Sequence, residues 1–203
     1  MSRLPVRLQR LPPAFYDRST TIVARELIGK LLLHRVNDEW LGGWIVETEA
    51  YLEHSDPASH SARGKTASNK SMFASPGTLY VYPIHAKHCL NAVTQSTGQG
   101  AAVLIRAIEP VWGIETMRRL RGHQDLRRLT RGPAMLCQAL QIDRDDDSRC
   151  LIRDESLGIF DDPTAPGRRV RATKRIGISK AQHRNLRFVD PDSPHLSRTY
   201  SDR

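Results

Sequence analysis

Apolar positions recur at two spacings along the chain. Behind Ser19 and Thr20, Ile22, Val23 and Leu27 follow helical spacing, and Gly29 comes next. This predicts a helix over 19–28, capped by Ser19 or Thr20, with those three side chains toward the core. Two short apolar runs follow, Lys30–Val36 and Trp44–Ala50. They read as strands joined around Asn37-Asp38-Glu39. Strand-like runs return at Thr78–Tyr82 and Ala101–Ala107, and a further one is expected near Ile176–Ile178. Helices are predicted from Trp112 to Arg121 and behind Gly132-Pro133, where proline suits a first helical turn. Cys137, inside that second helix, reads as a small core residue. Residues 52–77 are polar and rich in Ser, Gly, Lys and Pro, the pattern of a functional loop or a disordered segment. Short strands and helices in irregular order predict a mixed α/β or α+β domain.

Length and charge narrow this picture. A chain of 203 residues supports one well-buried core. It divides into an irregular, proline-containing arm over 1–14 and a domain over 15–203. No apolar run approaches the roughly 20 residues a membrane span needs. The first 13 residues lack an apolar signal core, so a cytoplasmic protein is expected. The net charge of +9 suits a polyanionic partner. Cys89, Cys137 and Cys150 are odd in number and widely spaced, and the eight histidines lack metal-ligand spacing. Neither a disulfide framework nor a metal site is expected. Arg144-Asp145-Asp146-Asp147 lacks calcium-loop spacing and reads as an acidic turn.

The candidate chemistry starts at Ile45-Val46-Glu47-Thr48-Glu49-Ala50-Tyr51. Strand alternation puts Ile45, Glu47, Glu49 and Tyr51 on one face. Two carboxylates beside an aromatic ring fit a solvated edge strand and an active site equally well. Their proximity should raise the pKa of at least one of them. His60, Arg63 and Lys65 lie in the polar loop that follows. Tyr80 and Tyr82 share a strand face, as sheet aromatics or as a platform for bases. Pro83 to His88 reads as an exposed basic hairpin tip, with Asn91 beyond it and Arg106 ending another apolar strand. Two arginine-rich stretches, Arg118–Arg131 and Arg168–Arg175, have the spacing of phosphate contacts or of a solvated surface.

Together these residues resemble the alkyladenine (3-methyladenine) DNA glycosylase family. The resemblance covers nearly the whole chain. It runs from Phe15-Tyr16-Asp17 and Ala24-Arg25-Glu26-Leu27-Ile28-Gly29 through Ile45–Tyr51, where it is strongest. It continues in His60-Ser61, Met72-Phe73, Pro76–Tyr82, Cys89-Leu90-Asn91, Val103–Ala107, Gly113–Arg118 and Gly132-Pro133, and ends at Leu186-Arg187-Phe188. No single motif is decisive; their order along the chain is.

The resemblance implies one α+β domain with a curved, mainly antiparallel sheet, flanking helices and a protruding hairpin that inserts into DNA. It also implies hydrolysis of the N-glycosidic bond of damaged purines in double-stranded DNA. The protein would act as a monomer, without a cofactor and without cutting the strand, since no lysine occupies a Schiff-base position in the family pattern. Glu49 matches the general base, Arg106 a residue that helps hold the attacking water, and the Ile176 carbonyl a third contact to that water. Tyr51 matches the aromatic on one face of the flipped base, and His60 and Tyr82 the groups on the other. Asn91 matches the pocket residue that disfavours guanine's exocyclic amine. Arg63, Lys65, Lys87 and Arg121 are the expected DNA contacts. One departure stands out. His85 occupies the position of the usual wedging tyrosine, in a hairpin one residue shorter. A smaller wedge predicts weaker flipping from stable base pairs, with Lys87 assisting. Two rival readings are less well served. A binding module has no use for Glu49, and a zinc deaminase requires an H-x-E and P-C-x-x-C pair that the chain lacks.

Overall fold

In the computed structural model, residues 4–84 and 87–199 are described. Nine strands form one curled sheet in which every pairing is antiparallel. They are β1 Gln9–Arg10, β2 Leu31–Val36, β3 Glu39–Tyr51, β4 Leu79–Ile84, β5 Lys87–Val93, β6 Ala102–Trp112, β7 Leu157–Asp161, β8 Arg171–Thr173 and β9 Arg187–Val189. The order is β1-β7-β2-β3-β6-β5-β4, with β9 pairing both β3 and β8. Helices α1 Pro13–Tyr16, α2 Thr20–Glu26, α3 Ile114–Arg121, α4 Leu126–Leu129 and α5 Pro133–Ala139 flank it. The fold is the expected single α+β domain around a curved antiparallel sheet. No helix among the described residues is long and apolar enough to cross a membrane.

The main core lies between the sheet and the helices. Val23 and Ala24 of α2, Leu27 at its C-cap, and Leu136, Cys137 and Ala139 of α5 bury against Ile45, Ala50, Val103 and Ile105. Cys137 is the core residue expected. Ile22 is not; it is 46% exposed, because the helix turns its 23–24–27 stripe inward. Ser19 sits at the N-cap of α2 but makes no side-chain capping bond.

Several boundaries differ from the pattern-based expectation. Strand β3 starts at Glu39 rather than Trp44. Asn37 and Asp38 both take positive φ, 49° and 64°, and close a two-residue turn with Val36 opposite Glu39. Gly42-Gly43 resembles a break in sequence, yet it is where neighbouring strands come too close for a side chain. A Cβ on Gly42 would lie 2.0 Å from the Leu32 carbonyl oxygen, and one on Gly43 1.9 Å from that of Glu109. The β6 strand likewise runs on to Trp112, past Pro110, so α3 begins only at Ile114. Strands β5 and β7 carry no clear alternation and were not foreseen.

The amino-terminal arm is packed from Leu4 onward. Gln9–Arg10 pairs with β7, Leu4 and Leu8 cover Leu31, Leu33, Trp40 and Phe160, and α1 crosses the expected boundary at 14/15. The polar stretch 52–77 is also ordered. It forms two 3-10 turns, His60–Arg63 and Lys70–Phe73. Asn69 ties the first of them by donating to the His60 and Gly64 carbonyls. Met72 and Phe73 pack on Tyr80, Val93 and Ala102. Arg144–Asp146 is a short 3-10 turn with a capping box from Asp143.

Candidate active site

Strand alternation fails at one point, and the site depends on it. The β3–β6 register shifts between Ile45 and Thr48. As a result Ile45 faces the main core with Ala50, while Val46 packs on Ala107, Val189 and Leu196 of a separate cluster. Ile45 is therefore not on the carboxylate face, contrary to simple alternation. Past the bulge, Glu47, Glu49 and Tyr51 do share a face, directed at Arg106 on β6.

Glu49 is fully buried, and each of its oxygens is held. Oε1 accepts the Ile176 amide at 2.8 Å. Oε2 accepts the Tyr51 hydroxyl at 2.9 Å and Arg106 Nη1 at 3.3 Å. Burial pushes its pKa above the usual carboxylate value. Arg106, the Ile176 amide and the Tyr51 hydroxyl oppose the rise, and the charge of Glu47 adds the least. The expected elevation is present, but its main cause is desolvation rather than the paired carboxylate. Glu47 goes the other way. Burial pushes it up, but Arg187, Arg106 and two bonds from Ser197 outweigh that and hold it below its ordinary value. Arg106 loses some proton affinity to burial and regains more from Glu49 and Glu47, so it stays charged.

Arg106, Tyr51 and Ile176, which hold the buried Glu49, line a cleft of about 1010 Å³. Tyr51, His60, Tyr82, Arg106 and Ile176 all line it, so the structure brings together the predicted residues from five separate stretches of chain. The His60 and Tyr82 rings meet edge to face with centroids 4.4 Å apart, and His60 Nδ1 lies 2.9 Å from the Tyr80 hydroxyl. Burial, helped by Arg63, lowers the His60 pKa and keeps the imidazole neutral near pH 7. Tyr80 therefore works as the support beneath His60.

Other expected positions fall differently. The Ile176–Ile178 run is not a strand: its first amide is committed to Glu49, and Gly177 turns with φ at 75°. Ile176 meets Glu49 through its N–H, a contact separate from the one its carbonyl was expected to make to the attacking water. Asn91 is buried on β5, opposite Tyr80 and Leu104, with its amide donating to the Tyr80 carbonyl rather than lining the cleft. Arg63 is on the cleft wall, Lys65 is exposed in the adjoining loop, and Lys87 is exposed where β5 begins. Strands β4 and β5 pair with Ile84 opposite Lys87; His85, the expected wedge, lies outside the described residues. Arg121 is bonded to the Leu129 carbonyl and to Gln138 between α3 and α5.

Of the arginine-rich stretches, Arg168 and Arg175 are not free for phosphate. Arg168 is paired with Glu109 and Asp190. Arg175 is buried in a two-bond pair with Asp56, both bonds 2.7 Å, and its guanidinium lies 4.7 Å from the Tyr51 ring centre. Asp56 and Ser197 escaped notice in the sequence, and Arg187 stood out only as part of the Leu186-Arg187-Phe188 motif. Arg187 and Ser197 reach Glu47 across 140 and 150 residues, a separation no local spacing can reveal.

A flat slot walled by aromatic rings, ending at a desolvated carboxylate held by a cation, suits a planar base and a water made nucleophilic. That places the protein among hydrolases acting on nucleobases. Residues 14–194 match the sequence profile of the methylpurine-DNA glycosylase family. A human DNA-3-methyladenine glycosylase is 42% identical over 94% of this chain and 68% of its own length, and its mouse counterpart 43% identical over 93% and 61%. A Rhodopirellula baltica protein assigned to the 3-methyladenine DNA glycosylases is 55% identical over 93% of this chain and 83% of its own. The chain belongs to the methylpurine-DNA glycosylase family and is a DNA glycosylase of DNA repair.

Proposed function

We propose that the protein releases alkylated and deaminated purines, among them 3-methyladenine, 7-methylguanine, hypoxanthine and ethenoadenine, from double-stranded DNA. It does so by base flipping and hydrolysis, without strand cleavage. The observation that carries this reading is the buried Glu49 carboxylate, fixed by Arg106, Tyr51 and the Ile176 amide beside an aromatic cleft. A base inside a duplex is out of reach and has to be extruded, at a cost on the order of a few kcal/mol. Stacking between Tyr51 and the His60–Tyr82 pair offsets part of that, by about 1–3 kcal/mol per stacked base. As the base leaves, positive charge develops on the sugar. Ionised Glu49 stabilises that charge and takes the proton of the attacking water. Arg106 supports ionisation against burial. A neutral His60 avoids repelling a cationic alkylated purine.

Arg63, Lys65, Lys87 and Arg121 supply sequence-independent affinity for the phosphate backbone. His85 acts as the wedge at the hairpin tip. The protein works as a cytoplasmic monomer and needs no cofactor. The test is single-turnover release of hypoxanthine and 3-methyladenine from duplex DNA by wild type and by Glu49→Gln. Release by wild type alone, with binding retained by the variant and the abasic strand left uncut, supports the assignment. Equal release by Glu49→Gln removes Glu49 from the role of base, and a cut strand refutes the base-only reaction. Exchanging His85 for Tyr should speed excision from stable pairs, and an unchanged rate argues against that wedge.

A further inference from the structure

The carboxy-terminal segment behind β9 doubles back over the site. Leu196 is buried against Val46, Ala107 and Val189, and its carbonyl accepts Arg131 Nε at 2.6 Å. The next residue, Ser197, donates its amide to Glu47 Oε2 at 2.6 Å and its hydroxyl to Glu47 Oε1 at 2.7 Å. The carbonyl of Arg198 accepts Arg187 Nη2 at 3.1 Å. This strap lies beyond residue 194, where the family match ends.

Glu47, fully buried, sits between the strap and the catalytic groups. Besides Ser197 it accepts Arg187 Nε at 2.7 Å and Arg106 Nε at 3.1 Å. The same guanidinium sends Nη1 to Glu49 at 3.3 Å, and its Nη2 is 3.4 Å from the Ser197 hydroxyl. A planar guanidinium gripped at Nε has its other nitrogens fixed in direction. Arg106 is thus shared by two buried carboxylates, and its partition between them depends on how well Glu47 is satisfied by other donors. Each donor that Ser197 gives Glu47 reduces the pull of Glu47 on Arg106 and leaves Nη1 for Glu49.

We propose that Ser197 and Glu47 are positioning residues for base excision: the docked carboxy-terminal strap satisfies Glu47, which holds Arg106 in the one orientation that keeps Nη1 on Glu49. The proposal rests on the assignment of Glu49 as general base. Its consequence is that a segment far from Glu49 in sequence sets the ionisation of the base. The groups facing Glu49 are Arg106 from β6, Tyr51 and Glu47 from its own strand, Cys89 from β5, and Arg175 with the Ile176 amide from the loop before β9. Of these, only Arg106 and Glu47 are tied to the strap.

The experiment is the pH profile of single-turnover hypoxanthine release, at saturating protein, for wild type, Ser197→Ala, Ser197→Thr and Glu49→Gln. Ser197→Ala removes one donor from Glu47 while leaving its charge in place, so Arg106 moves toward Glu47 and away from Glu49. The expected result is a rate about fivefold lower at neutral pH, the weight of one hydrogen bond. The acid limb should also move to higher pH, because Glu49 then needs a lower proton concentration to ionise. Ser197→Thr keeps the hydroxyl and should restore both. An unchanged rate and limb in Ser197→Ala overturns the proposal. So does a uniform loss at every pH with the limb in place, which is what lost folded protein produces. Glu49→Gln separates the two levels: if it still releases base, the base assignment fails and the proposal with it. If it is inactive while Ser197→Ala matches wild type, only the positioning role fails.

Discussion

The Asp56–Arg175 pair offers a sharp test of what holds the cleft wall. Both side chains have no exposed surface, and both bonds are 2.7 Å. Arg175 Nη1 also donates to the Ala50 carbonyl at 3.0 Å, and the guanidinium underlies the Tyr51 ring. Asp56→Ala would leave a buried cation without its counter-ion. Removing one partner of a buried pair costs about 3–5 kcal/mol, whereas an exposed pair is worth about 0–1 kcal/mol. For a domain of this size each kcal/mol lowers the unfolding midpoint by about 2–4 °C, so a fall of roughly 6–20 °C is expected. Replacing both charges at once, Asp56→Leu with Arg175→Met, should cost far less, because no unpaired charge stays behind. Thermal and denaturant unfolding of wild type, Asp56→Leu, Arg175→Met and the double mutant form the cycle, with Asp56→Ala measured beside them. In the folded fraction, single-turnover release should also fall for Asp56→Ala as Tyr51 loses its support. A single-mutant loss below about 1 kcal/mol, or a double mutant no better than the singles, would refute this account.

Three further outcomes follow from the site. Glu49 has a pKa raised by burial, so the folded state holds its proton more tightly than the unfolded chain does. Ionised Glu49 therefore costs stability, and the cost grows as pH rises from the ordinary carboxylate value through the folded one. Glu49→Gln should accordingly raise the unfolding midpoint at pH 7 and lose that advantage at acidic pH, read by melting across pH; a lower midpoint at pH 7 contradicts the reasoning. His60→Ala removes one stacking surface and should weaken capture of the flipped base by about 1–3 kcal/mol, seen as slower excision at subsaturating protein, while an unaltered rate excludes His60 from the base slot. Duplex affinity should fall linearly on a log–log plot against salt concentration, and Arg63→Ala should make that slope shallower; an identical slope places Arg63 away from phosphate.

What the sequence revealed and what it withheld divide along a physical line. Glu49, Tyr51, His60, Tyr82 and Arg106 were visible because each lies in a compact local motif; the last four line one cleft, and Glu49 is buried behind Tyr51 and Arg106. The strand position of Glu47 was visible too, but its function was not. The local alternation that grouped Ile45 with the carboxylates failed because a bulge depends on the partner strand. The start of β3 ahead of Trp44 was hidden for a similar reason: Gly42 and Gly43 mark where β2 and β6 press on β3, a fact about neighbours rather than about β3. The arginines misled most. Arg175 and Arg168 share a basic stretch with Arg169, yet the first two are buried or paired and only Arg169 pairs at an exposed surface.

The two carboxylates on β3 show why those long-range contacts matter. Glu47 and Glu49 are two residues apart, both fully buried, and both touch Arg106. Identical chemistry in similar burial would give similar acids. The difference comes from the donors each receives. Glu47 takes a second guanidinium from Arg187 and two bonds from Ser197, and is held ionised. Glu49 takes only a share of Arg106, an amide and a phenol, and is left with a raised proton affinity. Environments that push neighbouring carboxylates apart assign their roles. Glu47 becomes a fixed negative anchor. In the proposed reaction Glu49 is the base, and its raised proton affinity favours taking a proton as water attacks. The sequence supplies the pair on one face, and the strap and β9, folded back from the far end of the chain, make the two unequal.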